Sequence, residues 1–268
     1  MRERGERCVH SVVKAMAVLD CLARRKGPMS LGELSAELGW PKASVHGLLA
    51  AMRQNGVVEQ SGADGKYRLG IRLFSYGCIV SASWDVVRHS REKMDHIALK
   101  TGNSVFLSTL EEDSAMVIET ATAAGTFQVI SEKGSRVPLH CTSQGKLLLA
   151  YQPPGQRRLL LQKIGFQTYT PHTIDSPQRL EEELAMIRSQ GYATEDGEYR
   201  IGLRSASAPV FGVDGGVCAA IGVVGMFRRI RSEEFIFARD LVCRAAAEIS
   251  FDMGYRPTNQ DQQNAVLP

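Results

Sequence analysis

Residues 40–52 read WPKASVHGLLAAM. Pro41 suits the first position of a helix, where its missing amide hydrogen is not needed. Val45, Leu48, Leu49 and Met52 recur at helical spacing and mark an inward face. Ala43, His46, Gly47 and Ala50 are then left facing out, with Lys42 and Ser44 near the start. A buried helix carries larger side chains on such a face, and a solvated one carries more charge. So bare a helix, edged with donors, suits close approach to another surface.

The residues before it supply a partner. Ser30 and Glu33 have the S-x-x-E spacing of a capping box. Leu31, Leu34 and Leu38 give the short following helix an apolar face, and Gly39 ends it. Residues 11–24, SVVKAMAVLDCLAR, form a first helix with Val12, Met16, Leu19 and Leu22 on one face, broken by Gly27 and Pro28. Gly56 stops the third helix. A long helix followed by two short ones joined by a tight turn is a helix-turn-helix arrangement. Residues 57–70, VVEQSGADGKYRLG, then read as a hairpin turning at Asp64-Gly65. This is a wing.

In a winged helix-turn-helix the second helix of the pair enters the DNA major groove. That groove is about 12 Å wide and accepts a helix most readily where few bulky side chains intervene. Lys42, Ser44 and His46 can donate to phosphates or bases there, and Lys66 and Arg68 on the wing can hold the backbone. Charge agrees. Residues 1–76 hold twelve basic and seven acidic residues, whereas the remainder holds 20 and 22. The +3 overall charge is therefore concentrated where a polyanion would bind.

The chain has 268 residues, 44% hydrophobic and 23% charged, the composition of a globular protein of one or two domains. No apolar run approaches the roughly 18–20 residues of a membrane span. Neither a signal core nor paired, zinc-like cysteine spacing is visible, so a reduced cytoplasmic setting is expected, with no membrane partner, metal or cofactor.

Beyond the wing, residues 71–102 read as helix broken near Gly77 and ended by Gly102. Residues 104–110, 115–121, 126–131, 205–211 and 215–227 read as strands. Residues 142–152, 176–191 and 232–253 read as helices. This gives an α+β chain. The expected divisions are a winged helix-turn-helix domain over 8–76, a helical linker over 77–100, an α/β domain over 101–254 and a polar, disordered tail over 255–268.

Several stretches together resemble the IclR family of bacterial transcription regulators. They are SVVKAMAVLDCLA, MSLGELSAELGWPKASVHGLLAAMRQNGVVEQ and GKYRLGIRLFSYG, then VPLHCTSQGKLLLAY, LEEELAMIRSQGYATEDGEYRIGLRSASAPVF and GVCAAIGVVG. The likeness spans about residues 10–250. It implies a GAF-like α/β effector domain that senses a small metabolite, often an organic acid. It also implies dimers, or dimers of dimers, on pseudo-palindromic operators of double-stranded DNA. The protein is then a repressor or an activator and not an enzyme. The DNA contacts fall on Lys42, Ala43, Ser44, His46, Gly47, Arg53, Lys66 and Arg68. Family members usually have arginine where this chain has Gly47, so either Arg53 and the wing share that role, or the chain binds DNA more weakly or reads a different base. The effector residues implied are Ser143, Gln144, Glu195, Asp196, Ser205, Gly222 and Val224. The last strand, AAIGVVG, lacks polar side-chain atoms, which suits a ligand with an apolar or aromatic body, or a larger one. The free amides at the helix start near Thr142 and Ser143 favour a carboxylate.

Each of these residues also has a plain structural reading. Ser143 can simply cap a helix, Gly222 can serve close strand packing, and Glu195 and Asp196 can form a solvated turn. Two other functions fit the composition. One is an enzyme acting on a metabolite in the C-terminal pocket, for which His140–Cys141 is the visible pair. The other is an adaptor that docks proteins on the winged unit.

Overall fold

The computed structural model describes residues 9–25, 27–123 and 129–256. The chain divides into two units, one up to Ser83 and one from Trp84.

The first unit holds α1 (His10–Arg25), α2 (Leu31–Leu38), α3 (Lys42–Gln54), β1 (Val58–Gln60), β2 (Tyr67–Leu69) and α4 (Ile71–Ser83). The capping box forms: Glu33 N donates to Ser30 Oγ at 3.2 Å, and Ser30 N donates to Glu33 Oε2 at 2.8 Å. Those bonds hold the Glu33 carboxyl below the usual carboxylate range. Gly39 ends α2 at φ 67°, a left-handed conformation that favours glycine. β1 and β2 pair antiparallel as the wing, Glu59 facing Arg68. Leu34, Val45, Leu49, Met52, Val58 and Tyr67 share one core with Val18, Cys21 and Leu22.

Two expectations fail in this unit. Helix α1 buries Val18, Cys21 and Leu22, whereas Val12 and Met16 are 59% and 53% exposed. Leu22 is buried and Leu19 packs against the core, so only the N-terminal part of the expected stripe is left out, because the core shared with α2 and α3 takes the C-terminal half of α1. The helix also does not break at Gly77. It continues to Ser83, with Ile71, Phe74 and Ile79 exposed.

The second unit begins with α5 (Asp85–Thr101). A six-stranded antiparallel sheet follows, in the order β5-β4-β3-β8-β7-β6. Its strands are β3 (Ser104–Glu111), β4 (Ser114–Ala121), β5 (Arg136–Pro138), β6 (Ala193–Asp196), β7 (Arg204–Phe211) and β8 (Val217–Gly225). The helices α6 (Ser143–Ala150), α7 (Pro154–Lys163) and α8 (Pro177–Gln190) come between β5 and β6, and α9 (Glu233–Asp252) closes the unit. On one sheet face Val105, Leu107, Ala206, Ala208, Val210, Ile221 and Val223 form a core with Met94, Ile97, Val242 and Ile249 of α5 and α9. On the other side Leu147, Leu148 and Leu149 of α6 pack with Leu180, Leu184 and Ile187 of α8 and with Ala220.

The expected linker over 77–100 therefore divides. Its second half is α5, a wall of the C-terminal core rather than a connector. Residues 129–131 of the expected strand over 126–131 are not strand, and 126–128 lie outside the described residues, as do 257–268 of the expected tail. Tyr255 is packed, its ring stacked on Phe211 with centroids 4.8 Å apart. Helix α7 escaped the sequence reading because its apolar residues keep no clear period.

Candidate functional site

Helix α3 begins directly after Pro41, whose carbonyl accepts from Ser44 N and Val45 N. The first amides of the helix have no acceptor one turn back, as at any helix start. Lys42, Ala43, Ser44, His46 and Gly47 are all exposed around that end. A Cβ added at Gly47 would meet nothing within 4 Å. The five form a low surface with a cation, a hydroxyl and an imidazole at its edges.

The arginines are held differently. Arg53 donates to Gln60 Oε1 on the wing. Arg68 binds Glu59 through Nε and Nη2 at 3.1 and 3.0 Å, and Glu59 also accepts from Ile71 N at 3.0 Å. Both arginines thus brace the wing and would reach a phosphate only by exchanging partners. Lys66 is half-buried on the same hairpin.

The second cluster lies on the sheet face opposite α5 and α9. Strand register lays it out in rows. Ser104 faces Val224, Val224 faces Ser205, and Ser205 faces Glu195. In the next row Phe106 faces Gly222, and Gly222 faces Ser207. The start of α6 lies over this surface. Ser143 and Ser207 share a hydrogen bond at 2.7 Å. Gln144 Nε2 donates to Phe106 O at 2.9 Å, and Gln144 Oε1 accepts from Ser108 at 3.1 Å. A bulge at Leu107/Ser108 interrupts the β3–β4 ladder next to this carbonyl. Thr142, not Ser143, caps α6 by accepting from Gly145 N at 3.1 Å. Gly222 is required by close approach, since a Cβ there would lie 2.2 Å from Ser207 Oγ.

Glu195 is buried and accepts from Ser205 Oγ and from the amides of Glu198 and Tyr199, all within 2.9–3.2 Å. Burial outweighs these donors and pushes its carboxyl up to about 7. Burial likewise raises Glu198. Lys146 of α6 is fully buried, its Nζ 2.6 Å from Glu198 and 3.0 Å from Glu183. Thr170 and Thr173 donate to the Glu198 carbonyl. The turn after β6 is thereby tied to α6 and α8.

Six of the seven expected effector residues meet here: Ser143, Gln144, Glu195, Ser205, Gly222 and Val224. Asp196 does not. Strand alternation turns it to the other face, where Arg204 lies 2.6 Å away. The sequence reading missed Ser104, Phe106 and Ser207. For Ser207 the signal was present as alternation, with serine at 205 and 207, whereas residues 104–108, SVFLS, carry three apolar residues in a row and mark no face.

In the His140–Cys141 pair the thiol is not activated and the imidazole is turned to another partner. Burial, with Glu198 and Glu195 adding to it, pushes the Cys141 thiol up to about 12, so it stays protonated. The His140 ring meets the Gln167 carbonyl at 3.0 Å and packs on Phe166 and Tyr169. Among the described residues no three His, Cys, Asp or Glu side chains gather to hold a metal, and no helix is long and apolar enough to cross a membrane.

Comparison with known proteins supplies an independent line. Residues 11–62 match the family model described as the IclR helix-turn-helix domain. Residues 78–251 match the one described as bacterial transcriptional regulator IclR C-terminal. The chain is 31% identical over 250 residues to the HTH-type transcriptional regulator KdgR of Dickeya chrysanthemi, covering 92% of this chain and 81% of that protein. Among solved structures, an IclR transcriptional regulator from Alicyclobacillus acidocaldarius has a TM-score of 0.81 at 26% identity, covering 92% of this chain and 100% of that one. An IclR homolog from Microbacterium hydrocarbonoxydans, complexed with 4-hydroxybenzoate, has a TM-score of 0.79 at 22% identity, covering 91% of this chain and 98% of that one.

Proposed function

We propose, from the premise that this chain belongs to the IclR family of transcriptional regulators, that α3 reads an operator and that a small acid on the serine-bearing sheet face modulates that binding. The observation that carries the reading is the bare outward surface of α3, on a trihelical unit with a wing. Lys42, Ser44 and His46 take phosphate and base edges, while Ala43 and Gly47 let the helix seat deeply. Lys66, and Arg53 and Arg68 after partner exchange, hold the flanking backbone.

The effector meets Ser143, Gln144, Glu195, Ser205, Gly222 and Val224. The 4-hydroxybenzoate bound by the Microbacterium homolog supports an acid with an aromatic body. The exposed apolar side chains of α1 and α4 support assembly of copies through the N-terminal units, as a pseudo-palindromic operator requires. Ligand acts by binding and not by turnover, and the DNA partner makes the cytoplasm the working compartment.

Anisotropy titration over a duplex library tests this. Affinity is expected to fall with salt, with a log–log slope of about −0.9 per phosphate neutralised. Lys66→Ala weakens binding to all sequences alike and lowers that slope by about 1, whereas His46→Ala alters the sequence preference. Equal binding to every duplex in dilute buffer sinks the operator reading. An effector that leaves DNA affinity unchanged sinks the coupling.

A further inference from the structure

Ser104 opens β3 on the serine-bearing face and is 2% exposed, yet among the described residues its Oγ has no hydrogen-bond partner. A buried hydroxyl left in that state is costly and calls for a partner. The other hydroxyls of the face are already engaged: Ser207 with Ser143, Ser108 with Gln144, and Ser205 with Glu195. Across the sheet the row from Ser104 runs polar, apolar, polar, with Val224 between Ser104 and Ser205.

Resting on the reading that this face takes the effector, we propose that Ser104 is a ligand-binding residue and that the effector is two-ended, with polar groups at opposite ends of an apolar body. One end meets Ser104. The other meets the Ser205–Glu195 pair, and the body covers Val224. Ser104 and Ser205 stand two strand spacings apart, about 10 Å. Allowing about 2.8 Å for a hydrogen bond at each end leaves roughly 4 Å or more between the ligand's polar groups. A ring substituted at opposite positions fits that span, as does a four-carbon chain. A two-carbon acid does not. The ends also differ in chemistry. A second carboxylate beside Glu195 could stay only by sharing a proton with it, whereas a hydroxyl donates to Glu195 in its charged form, so the hydroxyl end is placed there. The acid group then accepts from the Ser104 hydroxyl. Lys146 offers no competing cation, since Glu198 and Glu183 hold it.

Calorimetric titration of the full chain with two sets of probes tests this: 4-hydroxybenzoate, phenol and benzoate, then 4-hydroxybutyrate, 1-butanol and butyrate. In at least one set the two-ended member is expected to bind about tenfold tighter than either one-ended member. Ser104→Ala is expected to weaken that member about tenfold and to leave the matching alcohol or phenol unchanged. The melting temperature of ligand-free Ser104→Ala stays equal to wild type or rises, because an unpartnered hydroxyl is removed. A lower melting temperature, an equal loss for phenol, or unchanged affinity for the two-ended probe overturns the role of Ser104. One-ended probes binding as tightly as two-ended ones overturn the two-ended effector and leave the site standing. If none of the six binds, the effector reading of the face falls, and this proposal falls with it.

Discussion

Gly47 has open space where a side chain would stand, in the exposed middle of α3. Glycine inside a helix costs about 1 kcal/mol relative to other helix formers. Gly47→Arg should therefore raise the melting temperature and add a contact to phosphate or base. The expected result is tighter operator binding by about 1–3 kcal/mol if the guanidinium pairs with guanine. Weaker binding would mean that the bare surface itself is what the groove requires. Glu195 makes a second residue-scale prediction. Its folded carboxyl titrates near 7, against an ordinary value of 4.5. Between those values the folded state holds a proton that the unfolded state has released. Its contribution to stability is thus greatest below about 4.5 and falls as pH rises to about 7, by up to about 1.4 kcal/mol per pH unit. Denaturant unfolding at several pH values should show this fall in wild type relative to Glu195→Gln, and a constant difference between the two would refute it.

At the scale of elements, α6 and the β7–β8 pair act as one piece. Gly222 lets Ser207 reach Ser143, and Gln144 supplies the bond to Phe106 O beside the bulge. Gly222→Ala should break that arrangement and cost about 1–3 kcal/mol by overpacking. Adding Ser207→Ala should recover part of the loss, as read by urea unfolding. Full stability in the single variant would show that β7 and β8 can separate enough to take the methyl group, against the close approach at Gly222. The sequence carried the serine alternation of β7 but not the shared bond, because a bond between α6 and β7 spans 64 positions along the chain.

For the whole molecule, the apolar side chains that α1 and α4 leave in water are the strongest prompt to assembly. Phe74 is 69% exposed and Met16 53%. Phe74→Asp with Met16→Asp should leave the fold intact, since neither side chain serves the core, and should yield a monomer by analytical ultracentrifugation. Its affinity for a two-half-site operator should fall to that for a single half-site. An unchanged dimer would locate the contact between copies elsewhere.

The sequence by itself determined the winged helix-turn-helix, its capping box and its outward α3 surface. These depend on residues within a few positions of one another, where spacing translates directly into a face. It also determined most strands of the second unit and, only through its resemblance to a known family, most of the residues gathered on the serine-bearing face. Only the tertiary structure decided which half of α1 is buried, that α5 belongs to the C-terminal core, and that Asp196 points away while Ser104 and Ser207 join the face. Those outcomes depend on what packs against each element and on strand register. Both are set by contacts between residues far apart in the chain, to which local periodicity is blind.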